Sequence, residues 1–285
     1  MRRLQIAILA AFCVTAAATS LAQKPPTTPV PAPAAAPAPA PTPAPPSASA
    51  LKDGKALFAR VVENLGGKEK VAKIHDMQTR GQVTTKGSQG DMSMDMQTYV
   101  VFPDHLSQQV DAPFGRLVMV ATPAGAFVVG PQGTQDLPPD LRDDLLHQIL
   151  RTSLYLAQKG EDPKFSAATA GVEKIGEVEA RILDITYDDV RVRWFVDPKI
   201  GRILRSSHVT KGPDQREMPI QTDYSDFRVV DGYTIPFHLE VNTSGKKDQT
   251  LKVEELKINA GIDPRLFEKP PAPTQAPAAQ PTPAP

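Results

Sequence analysis

In the stretch Gly232–Asn242, GYTIPFHLEVN, the apolar residues Tyr233, Ile235, Phe237, Leu239 and Val241 hold every odd position, and Thr234, Pro236, His238, Glu240 and Asn242 hold every even one. A period of two is the signature of a strand with one dry and one wet face. Burying the dry side chains at about 1.5–3 kcal/mol each, an upper value, makes the segment worth on the order of 10 kcal/mol to a core. The rest of the chain must therefore supply an apolar surface for this strand to pack on. Pro236 has no backbone donor and falls on the wet face, which predicts an edge or bulge position.

The two ends of the chain cannot supply that surface. Met1-Arg2-Arg3, the apolar run Leu4 to Val14 and the small residues at Ser20-Leu21-Ala22 have the form of a secretory signal over residues 1–22, with a mature chain starting at Gln23 in the periplasm. An uncleaved inner-membrane anchor is the alternative, although the strictly apolar run is shorter than the ~20 residues a span needs. The only cysteine, Cys13, lies inside this run behind the bulky Phe12, which speaks against a lipid anchor and leaves the mature chain without a thiol. Residues 23–50 and 270–285 are almost all Pro, Ala, Thr, Ser and Gln, a composition that stays extended at ~3 Å per residue and buries no core. Such tails are tethers or spacers, with passive solubilisation as the other reading. The formal charge is +0 with no basic or acidic block, so nothing points to nucleic acid or to an anionic membrane surface.

One domain, residues 51–269, remains. Leu57, Phe58, Val61, Val62 and Leu65 form a helical stripe closed by Gly66-Gly67, and a short helical piece, Lys68 to Ile74, follows. From Met77 the period is two: strands are expected over Met77–Thr85, Asp91–Phe102, His105–Val110, Leu117–Thr122 and Ala126–Val129. A helix over Asp140–Leu156, capped by Asp140, presents Leu141, Leu145, Ile149 and Leu156 on one face. Strands return at Val178–Tyr187, Val190–Val196, Arg202–Val209, Ile220–Val229, the opening stretch and Leu251–Ile258. In the last of these Leu251 and Val253 share one parity and Leu256 and Ile258 the other, so a bulge between them would put all four on one face. About ten strands in two runs with helices before and between them describe an α+β, mainly β, fold: a strongly curved antiparallel sheet, or unclosed barrel, wrapped around helices. A closed lipocalin-like barrel is the alternative, but it leaves the apolar face of Leu141 to Leu156 without a partner.

The chemistry of catalysis is hard to find. There is no G-x-S-x-G motif, no zinc-type histidine spacing, no phosphate-binding glycine loop and no cofactor motif, so the chain reads as a non-enzyme. Asp143 and His147, four apart on a helix, are more simply a surface pair than metal ligands. Met92-Ser93-Met94-Asp95-Met96 is less ordinary. Its three methionines share one strand face, and methionine fits variable apolar shapes, although ordinary core filling also accounts for it. Val192, Trp194 and Val196 form a second such face, with the only tryptophan as wall or floor of a cavity.

The helix, strands, central helix, WFVDPKIGRILR, DYSDFRVVDGYTIPFHLEV and the closing LFEKPP together resemble the LolA/LolB-type lipoprotein-carrier superfamily of bacterial envelopes over about Leu51 to Pro271. The resemblance implies an unclosed β-barrel whose concave face holds acyl chains beneath a helical lid, in a monomer with an envelope protein as a possible partner. It also implies a hydrophobic ligand lined by Met92, Met94, Met96, Phe102, Leu145, Ile149, Val192, Trp194, Val196, Tyr233, Ile235 and Phe237. Where such carriers place an arginine before the proline that ends an early strand, this chain has Phe102 before Pro103. A structural or interaction module tethered in the envelope is the competing reading.

Overall fold

The computed structural model describes residues 45–87, 90–212 and 216–271, so the signal segment, Cys13, most of the first tail and the second tail beyond Pro271 lie outside it. The first helix, α1, spans Ala48–Asn64 and starts three residues before Leu51, because the Ser47 side chain accepts from the Ala50 N–H and caps it. α2 is Lys68–Val71. A first meander follows: β1 Asp76–Thr85, β2 Met92–Val101, β3 His105–Ala112, β4 Gly115–Thr122, β5 Gly125–Gly130 and β6 Gly133–Asp136. Next come α3 Pro139–Leu150 and α4 Ser153–Gln158. The second meander is β7 Phe165–Ile175, β8 Val178–Tyr187, β9 Val190–Asp197, β10 Arg202–Lys211, β11 Glu217–Val230, β12 Tyr233–Thr243 and β13 Lys246–Ile258. A 3-10 turn, Pro264–Phe267, closes the domain.

All 13 strands form one antiparallel sheet in the order β6-β5-β4-β3-β2-β1-β13-β12-β11-β10-β9-β8-β7. Its ends, β6 and β7, do not pair, so the barrel is open and the closed alternative is set aside. Each meander is local, and the seam between them pairs the first strand with the last, Met77 opposite Ile258. The bulge expected in β13 is there: Arg80 pairs Glu255 while Gly81 pairs Val253, which leaves Glu254 unmatched. Leu251, Val253, Leu256 and Ile258 accordingly all reach the same apolar cluster.

Several elements differ from the expectation, each for a local reason. The helix expected over Asp140–Leu156 is two helices. The first ends at Leu150 with Arg151 as its C-cap, and Thr152 then accepts from the Tyr155 N–H to start the second. Pro138, not Asp140, occupies the N-cap of α3, with Asp140 in its first turn where a negative charge suits the helix end. Pro236 lies in an interior strand. It pairs Phe227 of β11 on one side, but β13 pairs β12 only from His238 to Thr243, so on its other side this part of the strand is a free edge. β7 carries small residues, FSAATAG, because α1 rests directly on its backbone: a Cβ on Gly54 would stand 2.3 Å from the Ala167 carbonyl oxygen.

The main core lies on the helix-bearing face of the sheet. Leu57, Phe58, Val61 and Val62 of α1 pack with Leu183, Ile185, Trp194 and Val196, and with the dry face of β12. The β9–β10 hairpin DPKIG is docked onto α1 as well. Arg60 Nη1 donates to the Pro198 carbonyl at 2.8 Å. Gly201, at φ +73°, sits where a side chain would meet the Arg60 carbonyl oxygen at 2.1 Å. A second cluster joins Val100, Leu106, Met119, Ala121, Ala126 and Val128 to Leu145 and Ile149 of α3. On the opposite face of the sheet, Phe267 of the 3-10 turn meets the His105 ring edge-on at 5.4 Å, and Lys269 pairs with Asp136 at 2.6 Å.

Candidate functional site on the concave face

The concave side of β1, β2 and β3 is built by alternation. Met94, Met96 and Val100 of β2, with Phe102 just past its end, share one face with Val83 of β1 and Leu106 and Val110 of β3, through the registers Val83–Met94, Gly81–Met96, Met96–Val110 and Val100–Leu106. Val83, Met94, Met96 and Val110 form a buried cluster of their own, to which no helix residue contributes. Gly81 stands directly opposite Met96, so β1 puts no side chain beside that thioether. Met92 continues the row but is 41% exposed at the strand end. A flexible sulfur chain in a strip without a helix lid is suited to accommodate changing apolar shapes.

The other expected lining residues lie elsewhere on the same face. Leu145 and Ile149, each 1% exposed, are covered by the strands under α3. Val192, Trp194 and Val196, with Tyr233, Ile235 and Phe237, belong to the core beneath α1, α2 and α4. The Trp194 ring stacks on Phe58 at 6.1 Å, and the Tyr233 hydroxyl donates to the Lys70 carbonyl at 3.0 Å. Phe102 touches both clusters and stacks on Tyr155 of α4 at 6.1 Å with 6° between the rings. A ring stack thus holds α4 at the position where the resemblance implies an arginine. Tyr155 meets Tyr187 edge-on, and Lys159 lies 4.9 Å over the Tyr155 ring. Burial first, and then the Tyr187 neighbour, pushes the Tyr155 phenol up to about 12, so it stays a neutral ring.

Sequence reading missed a set of polar groups that face inward. Thr210 donates to Asp144 of α3 at 2.7 Å, Ser206 and Tyr224 share a hydrogen bond at 2.7 Å, and Gln108 is 3% exposed. His208 shares the inward parity of β10; burial, helped by the charge of Arg151, holds its pKa down at about 3. The imidazole is therefore neutral when folded. Because the folded pKa lies below the ordinary 6.5, the unfolded chain binds the extra proton first. Stability contributed by this group is complete above the ordinary histidine pKa and falls as pH drops toward 3, by up to about 1.4 kcal/mol per pH unit. Urea midpoints at pH 7.5 and pH 5 check this: the wild type is expected to lose stability on acidification, and His208→Leu to lose less. Equal losses in the two proteins would remove His208 as a cause.

Asp143 and His147 do not converge. Asp143 is held by Arg142 at 2.6 Å, and His147 Nε2 reaches Asp189 in the β8–β9 turn at 3.0 Å. Among the described residues no three His, Cys, Asp or Glu side chains gather as metal ligands, and no helix is long and apolar enough to cross a membrane. A pocket of about 140 Å³ lined by Arg80, Asp95, Gln97, Gln109, Asp111 and Glu254 opens on the sheet face opposite the methionines. Its charged side chains already have partners: Arg80 pairs with Glu254 and Glu255, Asp111 with Arg116, and Asp95 accepts from Gln82 Nε2 at 3.3 Å.

No family model and no curated protein sequence matches the chain. Solved structures do. A DUF1329 family protein from Desulfovibrio piger aligns at 13% identity with a TM-score of 0.53, over 77% of this chain and 97% of that one. A LolA superfamily protein from Nitrosomonas europaea aligns at 13% identity and TM-score 0.51, over 76% and 97%. A domain described as an outer membrane lipoprotein-sorting protein from Vibrio parahaemolyticus aligns at 11% and 0.50, over 76% and 97%. At these identities the likeness speaks for architecture alone. The open 13-stranded sheet, the helices on its concave face and these three neighbours together make this a chain of LolA-like fold.

Proposed function

We propose that this chain is a non-enzymatic binding or carrier protein of the bacterial envelope that holds a lipid or acyl-chain ligand on the concave face of its sheet. The observation that carries the reading is the Val83, Met94, Met96 and Val110 cluster, an inward apolar strip with no helix residue in it. Elsewhere on that face α1, α2 and α4 occupy the main cluster and α3 the second, whereas the methionine strip, like the smaller Met218, Ile220 and Val241 cluster, is covered by strands alone; with Met94 and Met96 each 3% exposed, a guest enters by displacing these flexible side chains. A structural neighbour described as a lipoprotein-sorting domain supports this reading of the fold. The signal-like residues 1–22 fit export, and the Pro/Ala-rich segments 23–50 and 270–285 fit tethers that let the domain reach an envelope partner.

The test is titration of the delipidated, folded protein with a neutral probe, the methyl ester of a fluorescent polyene fatty acid. Saturable binding is expected. Met94→Asp places an unpaired charge in the strip and is expected to abolish it, or to prevent folding. Met94→Leu nearly conserves volume, so stability is expected to stay within ~1.5 kcal/mol of wild type while the order of preferred chain lengths changes. Failure of the folded wild type to bind the probe would overturn the carrier reading and leave a tethered interaction module as the better account.

A further inference from the structure

Gln108 is the one long polar side chain on the inward face of β3, between Leu106 and Val110, and it is 3% exposed. Its Oε1 is buried and has no hydrogen-bond partner among the described residues. Across the sheet its neighbours are Thr98 of β2 on one side and Met119 of β4 on the other, and Thr98 in turn stands beside Thr79 of β1. The carboxamide is therefore set in an apolar wall interrupted by a short row of neutral hydroxyls. Buried acceptors are rarely left without a donor, because the unfolded state satisfies them with water. On the same strand face Val110 follows two residues later, about 7 Å along, and Met96 pairs with it.

Resting on the proposed ligand site, we infer that Gln108 is the polar anchor of that site and that the preferred guest is a neutral amphiphile bearing a hydroxyl. Its O–H donates to Gln108 Oε1 while its alkyl chain runs along Val110, Met96 and Met94. Two features select this class. The buried oxygen asks for a donor and the amide N–H beside it, also without a partner among the described residues, for an acceptor; a hydroxyl supplies both. The side chains beside it on the inward face, Thr79 and Thr98, are uncharged, whereas Arg80, Asp95, Asp111 and Arg116 belong to the opposite parity of their strands. A carboxylate or phosphate can accept from the amide N–H but leaves Oε1 unpaired and brings a charge to a face with no cation beside it, and a plain hydrocarbon leaves Gln108 unpaired altogether. Ser107 Oγ is also buried without a partner, but it lies on the other face of β3 and takes no part.

The experiment displaces the polyene ester probe from the delipidated full chain with three ligands of matched carbon chain: dodecanol, dodecyl methyl ether and dodecanoate. Dodecanol is expected to compete at least tenfold better than the ether, which keeps the oxygen but carries a methyl in place of the donor hydrogen, and better than dodecanoate. In Gln108→Leu the alcohol and the ether are expected to compete within about twofold of each other, with the thermal midpoint unchanged or raised because the orphan acceptor is gone. Gln108→Met serves as the unbranched substitute where leucine disturbs the fold. Equal competition by alcohol and ether in the wild type, as when a water occupies the acceptor, would overturn the anchor while leaving lipid binding intact. So would an alcohol preference that survives in both variants. Absence of any probe binding to the wild type is the separate result that removes the ligand site itself.

Discussion

Gly54→Ala is expected to destabilise the domain by about 3 kcal/mol, against the usual trend for a helix interior. In an exposed helix the same change adds about 1 kcal/mol of stability through backbone propensity. Here the added methyl would stand 2.3 Å from the Ala167 carbonyl oxygen and 2.7 Å from the Ala168 Cα. Both are backbone atoms of β7, so no side chain can rotate away; α1 must lift off the strand. Lifting it also loosens Leu57, Phe58 and Val61, which sit within the next two turns of the helix and bury the same core. Circular dichroism against urea measures the effect. An unchanged or higher midpoint would mean that α1 does not bear on β7 as described.

Trp194→Ala is expected to cost about 3–5 kcal/mol, the range for deleting a large buried aromatic. Trp194 is 1% exposed and is enclosed by the stacked Phe58 ring, so the site cannot collapse around the void without moving α1. Trp194→Phe is expected to recover a large part of the loss by keeping a ring against Phe58. Since the variants lack the only tryptophan, unfolding is followed by circular dichroism. A loss under about 1 kcal/mol for the alanine variant would place Trp194 in a space that something else already fills. The change should leave probe binding at the methionine strip in place under conditions where the variant is folded, because Trp194 and Met94 belong to different clusters.

The parts of the fold that could be read from sequence were those in which apolar residues keep a strict count. The odd positions of β12, the stripe of α1 and the parity switch in β13 each announce their geometry, down to the unmatched Glu254. β7 could not be read that way: strand propensity speaks through bulky residues, and α1 excludes bulk there, leaving Ala167, Ala168 and Ala170. β6, Gly133–Asp136, is a short polar edge with no apolar residue to count. The break between α3 and α4 was hidden because leucines continue on both sides of it, and only the capping by Thr152 marks it.

The candidate site shows the same division. Alternation placed Met94 and Met96 on an inward face, and the register carries them to Val83 and Val110. It misled for Gln108, Ser206, His208 and Thr210, because a polar residue at every second position reads as the wet face. In a sheet that curls around its own helices, both faces of some strands are covered. Val120 and Ser107, 1% and 0% exposed, lie on the face away from the methionines. Polarity then marks an inward hydrogen-bonding group as readily as an outward one, and only the partner strands decide which.

The seam between the first and last strands sets an order of events. β1 is complete by Thr85, but its partner on that side, Lys246–Ile258, is the last strand of the chain. Each meander can form hairpin by hairpin as its residues become available, whereas the seam must wait for nearly the whole domain and bears the largest loop-closure entropy. Until then β1 and β12 both present open rows of N–H and C=O groups to whatever strand is near. A chain that emerges amino end first, or that loses its carboxyl-terminal part to a protease, therefore holds two sticky interior edges that the finished protein never shows.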